Sequence, residues 1–224
     1  MTAARAATIL LRKELRLEFR RRELLTTTIV FGLIVVVLFS FALNPTPEES
    51  RRYGPGLLWI AFLFAGSLML NPSFAREQAN DTLDALRMAP ISSFAVLLGK
   101  MAANFVFLAL AEVILVPAFA VLYNVSLARI AGRLILVLAL GTGGIVIAGT
   151  VFSAISAHAR MRELLLPLLL LPVLAPLLIA AVEATALLLT PEPSFGGSWL
   201  TILIAFDVVF FTASWLLADF LTEE

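Results

Sequence analysis

Six runs of the sequence, about Leu24–Leu43, Gly56–Leu70, Phe94–Tyr123, Ile130–Ala157, Leu164–Leu189 and Trp199–Leu221, are apolar almost throughout. A helix crossing the ~30 Å hydrocarbon core of a bilayer needs roughly 20 such residues. Backbone that faces lipid must satisfy its own hydrogen bonds, as a helix does. The pattern therefore predicts an all-α, polytopic membrane protein with six transmembrane helices. The second run is short and borrows polar flanks, whereas the third and fourth are long enough to tilt or to emerge from the bilayer. Only 14% of the residues are charged against 61% hydrophobic, about half the charge of a soluble domain, so a soluble core this apolar could not be covered. Residues 1–43 share a basic start, an apolar run and the small triplet Ser40–Ala42 with a signal peptide. The run is too long for a signal core and further spans follow, so it reads as a retained first span.

The side on which lysine and arginine collect sets the orientation. With the N-terminus in the cytosol, the inner side holds Arg5, Arg12, Lys13, Arg16, Arg20, Arg21, Arg22, Arg76, Arg87, Lys100, Arg160 and Arg162. The outer side holds Arg51, Arg52, Arg129 and Arg133 alone. Both termini are then cytosolic. Residues 1–23 form a separate element, in which Leu11, Leu15 and Phe19 share a helical stripe beside Arg12, Lys13, Arg16 and Arg20. That pattern suits an interfacial helix on the cytosolic leaflet or a plain positive-inside anchor. The outer loops are expected at Asn44–Pro55, Asn124–Arg129 and Thr190–Ser198, all rich in turn formers.

One long polar insert interrupts the apolar pattern, from Phe74 to the start of the third span. Such backbone must lie in water. Asn80 or Asp81 can cap a helix, Asp84 sits in its first turn, Leu83 and Leu86 share a face, and Pro90 stops it. A short cytosolic helix with an apolar face results. It can pack on its own protein and the headgroups, or it can fit a groove on a soluble partner.

The segment Arg76–Lys100 resembles the cytosolic coupling loop of type-2 ABC exporter permeases. Thr82-Leu83-Asp84, Leu86, Pro90 and Leu98-Gly99-Lys100 match that pattern, and Asp81 stands where it usually has glycine. Together with LRKELRLEFRRRELL (Leu11–Leu25), GLLWIAFLFAGSLML (Gly56–Leu70) and the leucine- and proline-rich run at Leu164–Ile179, the chain is similar along its length to the cytochrome c maturation B (haem exporter B) family. The resemblance implies an ABC permease domain over 24–224 with a coupling loop at 74–93. Arg76, Glu77, Asp81, Thr82, Leu83, Asp84, Leu86 and Arg87 would then be the residues that meet an ATP-binding subunit. It further implies two copies per complex, other cytochrome c maturation membrane proteins, a periplasmic haem chaperone and a bacterial inner-membrane location. In that family ATP is hydrolysed by the partner subunit, haem is handled by the complex, and hydrolysis is tied to release of the haem-loaded chaperone.

The remaining residues predict no catalytic site, no metal site and no cofactor bound by this chain itself. No phosphate loop exists, since Gly99-Lys100 is followed by Met101. There is no cysteine, no HExxH and no GxSxG, which disfavours an intramembrane enzyme, and nothing points to nucleic acid. A structural assembly subunit and a permease for a lipid, drug or polysaccharide are the other readings. His158, the lone histidine, falls in a predicted cytosolic turn. Glu112, Glu183 and Asp207 are intramembrane polar residues and so functional candidates. They can line a cavity, form one cluster or hydrogen-bond between helices, while Lys100 is placed to snorkel. Small residues at Gly144/Ala148 and Gly149/Ser153/Ala157 allow another helix to approach closely, from a second copy or from within the subunit. Pro167, Pro172 and Pro176 are expected to kink or break the fifth span. Arg129 and Arg133, one turn apart, are placed to meet headgroups or an acidic periplasmic partner.

Overall fold

The computed structural model describes residues 3–70, 92–156, 162–194 and 196–223. They form seven helices: α1 (Ala3–Arg21), α2 (Glu23–Leu43), α3 (Pro47–Leu70), α4 (Ser93–Leu122), α5 (Ala131–Ser156), α6 (Arg162–Leu188) and α7 (Gly197–Glu223). Each of α2 to α7 contains a stretch long and apolar enough to cross a membrane, and no strand occurs among the described residues. The six-span, all-α expectation is met. The expected short coupling helix lies outside the described residues.

Span limits follow the apolar runs closely at five helices and depart at one. α3 starts at Pro47 rather than near Gly56, because Thr46-Pro47-Glu48-Glu49 is a helix start. The Thr46 backbone N–H donates to Glu49 Oε2 at 2.8 Å and the Glu49 N–H donates back to Thr46 Oγ1 at 3.4 Å. This reciprocal capping box satisfies two orphan donors, and proline is preorganised for the first helical position. The expected loop Asn44–Pro55 therefore shrinks to Asn44–Thr46. α6 runs as one helix through Pro167, Pro172 and Pro176, so of the kink or break expected there, the break does not occur.

The bundle is built around α5, which packs against α3, α4, α6 and α7. α2 lies on α3 and α4, α7 covers α4, α5 and α6, and α1 crosses α4. Two-thirds of the apolar windows of α3 and α5 is buried (67%) against 17% for α2 and α7. The first pair is the core and the second the periphery. Exposed Val30, Ile34 and Phe41 on α2, and Val208, Val209 and Phe220 on α7, suit a lipid solvent as apolar as themselves. The interior is filled by Trp59, Phe62, Leu108, Leu115, Phe119 and Ile145, all buried.

Candidate functional site

Four consecutive small residues of α5, Gly141-Thr142-Gly143-Gly144, meet the four helices around it. Successive helical residues point ~100° apart, so four of them sweep the whole circumference. Gly141 lies beneath the ring of Trp59 on α3, where an added Cβ would collide with the ring. The Thr142 hydroxyl donates to the Glu112 carboxylate on α4. Gly143 and Gly144 face Asp207 on α7, and a Cβ at Gly144 would also lie 2.6 Å from Leu177 Cδ1 on α6. Trp59 Nε1 in turn donates to Thr185 Oγ1 on α6 at 3.0 Å, joining α3 to α6. Thr142 is ~16 Å along the helix from Ala131 at 1.5 Å per residue, which places this junction near mid-depth.

Glu112 and Asp207 thus reach adjacent positions of α5 from two different neighbouring helices, α4 and α7. Glu112 is buried and bonded, whereas the Asp207 Oδ1 atom is buried with no hydrogen-bond partner among the described residues. Glu183 does not join them. It sits on the exposed face of α6. The small-residue spacing on α5 serves packing within the subunit: Gly149 receives Leu70 of α3, and Ser153 Oγ donates to the Leu70 carbonyl at 2.8 Å. Ala157 is outside the described residues.

A second polar layer ties the bundle to α1. Asn104 Nδ2 of α4 donates to Thr150 Oγ1 of α5 at 3.2 Å. One turn earlier, Lys100 is 3% exposed and its Nζ lies 3.9 Å from Glu14 of α1. Lys100 therefore does not snorkel; it pairs with the helix that crosses it. Gly99 sets the crossing distance, since a Cβ there would lie 2.8 Å from Leu10 Cβ and 3.1 Å from the Ala7 carbonyl. The docked face of α1 is Ala6, Ala7, Leu10 and Glu18, with Leu11 and Leu15 flanking it. Phe19, expected in the apolar stripe, is 51% exposed. Small residues and acids join the leucines on this face, because they fit the close approach and the buried lysine. Buried Glu18 also accepts from the Leu25 N–H at 2.9 Å, satisfying a donor in the first turn of α2.

These contacts hold both borders of the expected coupling segment. Leu70, the last residue of α3, is gripped by α5, and the first turns of α4 are gripped by α1. The eight predicted coupling residues, Arg76, Glu77, Asp81, Thr82, Leu83, Asp84, Leu86 and Arg87, lie outside the described residues, as does His158. Among the described residues no group of three or more His, Asp or Glu side chains could hold a metal ion. Arg129 and Arg133 take different roles: Arg133 Nη1 donates to the Pro193 carbonyl at 2.7 Å, anchoring the α6–α7 connection, whereas Arg129 lines a pocket that Pro193 borders.

Sequence reasoning missed Thr142, the Trp59–Thr185 bond and the Glu14–Lys100 pair. A threonine flanked by glycines inside a span was the available signal for the first. A buried lysine one residue after a helix-crossing glycine was the signal for the last.

Six membrane-capable helices with polar groups used to bind helix to helix define a multi-pass α-helical membrane protein. The chain belongs to the CcmB protein family, which matches residues 5–220. It is 34% identical over 198 residues to the heme exporter protein B of Pseudomonas aeruginosa, covering 88% of each chain. It is 36% identical over 174 residues to that of Rhodobacter capsulatus, covering 78% of this chain and 79% of the relative. With the Bradyrhizobium diazoefficiens heme exporter protein B it shares 28% over 204 residues, 91% of each.

Proposed function

We propose that this chain is the membrane-spanning, non-catalytic subunit of an ABC complex for c-type cytochrome biogenesis that delivers or exports haem. The observation that carries this reading is the family match over nearly the whole chain, to relatives named as heme exporters. ATP is bound and hydrolysed by a separate subunit, in keeping with the absence of a phosphate loop from the sequence. The segment 74–93 meets that subunit through Leu83 and Leu86, flanked by Arg76, Glu77, Asp81, Thr82, Asp84 and Arg87. Its push reaches α3 at Leu70 and α4 at Ser93, and the grips on those helices pass it to α5 and its mid-depth junction. Residues 1–23 lie along the cytosolic leaflet, both termini are cytosolic, and two copies assemble in the inner membrane. Hydrolysis is coupled to release of a haem-loaded periplasmic chaperone, with other cytochrome c maturation membrane proteins completing the complex.

The test is co-purification with the ATP-binding subunit in detergent, comparing wild type with Leu83→Glu/Leu86→Glu. Loss of the complex, with the variant still inserted in the membrane, is the expected result. Retained ATPase binding would remove the coupling role from this segment. Lost binding with normal c-type cytochromes would keep the ABC architecture and move the cargo to a lipid, drug or polysaccharide.

A further inference from the structure

The end of the bundle remote from α1 carries the four arginines that the sequence places outside. Two have partners: Arg52 lies over the Tyr53 ring, 5.4 Å from its centroid, and Arg133 is bonded to the Pro193 carbonyl. The other two, Arg51 on α3 and Arg129 just before α5, line one pocket of about 460 Å³. Neither makes an ion pair or hydrogen bond among the described residues, and no carboxylate side chain lines the recess. Asn124 and Ser126 add polar groups to it, and Leu188 and Leu189 form an apolar wall.

Two guanidinium groups in one recess repel each other, and arginine is disfavoured on the outer face of a membrane protein. The carboxyl ends of α4 and α6 border the pocket, and their partial negative charge offsets part of the repulsion. Neither arginine hydrogen-bonds those carbonyls, so its five donors remain available for a ligand. Guanidinium forks match carboxylate and phosphate oxygens in bidentate geometry. We propose that this pocket binds the oxyanion group of an anionic amphiphile, a carboxylate or phosphate held between Arg51 and Arg129 with its apolar body against Leu188 and Leu189. A phospholipid headgroup and a porphyrin dicarboxylate both have this chemistry. The lipid source stands independently, whereas the porphyrin source rests on the haem-handling function proposed above.

The test uses the full chain in phosphatidylcholine nanodiscs with two probes. The first is protoporphyrin IX, followed by its fluorescence against the dimethyl ester, which keeps the ring and lacks the acids. The second is phosphatidylglycerol, followed by native mass spectrometry as retained lipid. Arg51→Gln/Arg129→Gln should weaken one probe or both by about tenfold or more, as loss of charge-assisted hydrogen bonds implies. Arg51→Lys/Arg129→Lys, which keeps the charge and loses the fork, should fall between. Arg52→Gln, which removes a neighbouring charge outside the pocket, should leave binding unchanged. An arginine-dependent porphyrin signal that the ester does not give assigns the carboxylate source, and an arginine-dependent lipid signal alone assigns the phosphate source. Equal binding of both probes by wild type and the Gln variant, or an equal loss in Arg52→Gln, overturns the proposal. Arg51 and Arg129 are exposed and unbonded among the described residues, so an unchanged unfolding midpoint is expected for both double variants.

Discussion

Gly141→Ala should destabilise the bundle far more than one methyl group suggests. The new Cβ would collide with the six-membered ring of Trp59, which is 1% exposed and held among the buried core residues. Overpacking of this kind costs ~1–3 kcal/mol. A shifted indole also gives up its bond to Thr185, worth ~1 kcal/mol. Alanine's better helix propensity returns up to ~1 kcal/mol, leaving a net loss of about 2 kcal/mol. Gly132→Ala on the same helix meets nothing within 4 Å and serves as the control, expected to be neutral or slightly stabilising. The assay is unfolding in mixed micelles by titration with a denaturing detergent. Trp59→Phe removes the atoms that collide, so the cost of Gly141→Ala in that background should fall by ~1 kcal/mol or more, a coupling expected of residues in contact. Equal stability of the two alanine variants, or no coupling to Trp59, would refute the packing account of the junction.

Thr142→Val strips buried Glu112 of its partner and should cost ~1–3 kcal/mol, whereas Thr142→Ser keeps the bond and most of the stability; the same micelle titration distinguishes them. The chain has no native cysteine, so Ala7→Cys should resist a soluble maleimide while Ile9→Cys, on the exposed face of α1, reacts. Adding Gly99→Leu should lift α1 from α4 and make position 7 react as readily as position 9; continued protection would show that the glycine does not set the crossing. Thr46→Ala removes the cap of α3 and should cost ~1 kcal/mol, seen as faster amide exchange confined to the first turns after Pro47.

The spans were legible because lipid imposes a length and a backbone rule on any crossing helix, and Leu24–Leu43 or Phe94–Tyr123 meets both without help from the rest of the chain. The start of α3 was legible too, but in a different signal. Thr46-Pro47-Glu48-Glu49 reads as turn formers by composition and as a capping box by spacing, and the spacing governs. The face of α1 was only partly legible from its apolar stripe: Leu11 and Leu15 flank the docked face, but Ala6, Ala7 and the acids Glu14 and Glu18 complete the contact, fitting the closeness of Gly99 and the charge of Lys100. Which helix meets which residue of Gly141–Gly144 was hidden for a further reason. Apolar residues surround each span, so periodicity does not mark the inward face, and only small and polar residues carry that information. Glu112 and Glu183 illustrate this: similar in sequence setting, one is bonded in the core and the other stands on the surface.

Covalent haem in c-type cytochromes tests the central claim most directly, measured by haem staining in cells deleted for this gene and complemented in turn. The account predicts that the signal disappears on deletion, returns with the wild-type chain, and stays absent with the inserted Leu83→Glu/Leu86→Glu variant. Normal cytochromes in the deletion strain would contradict it.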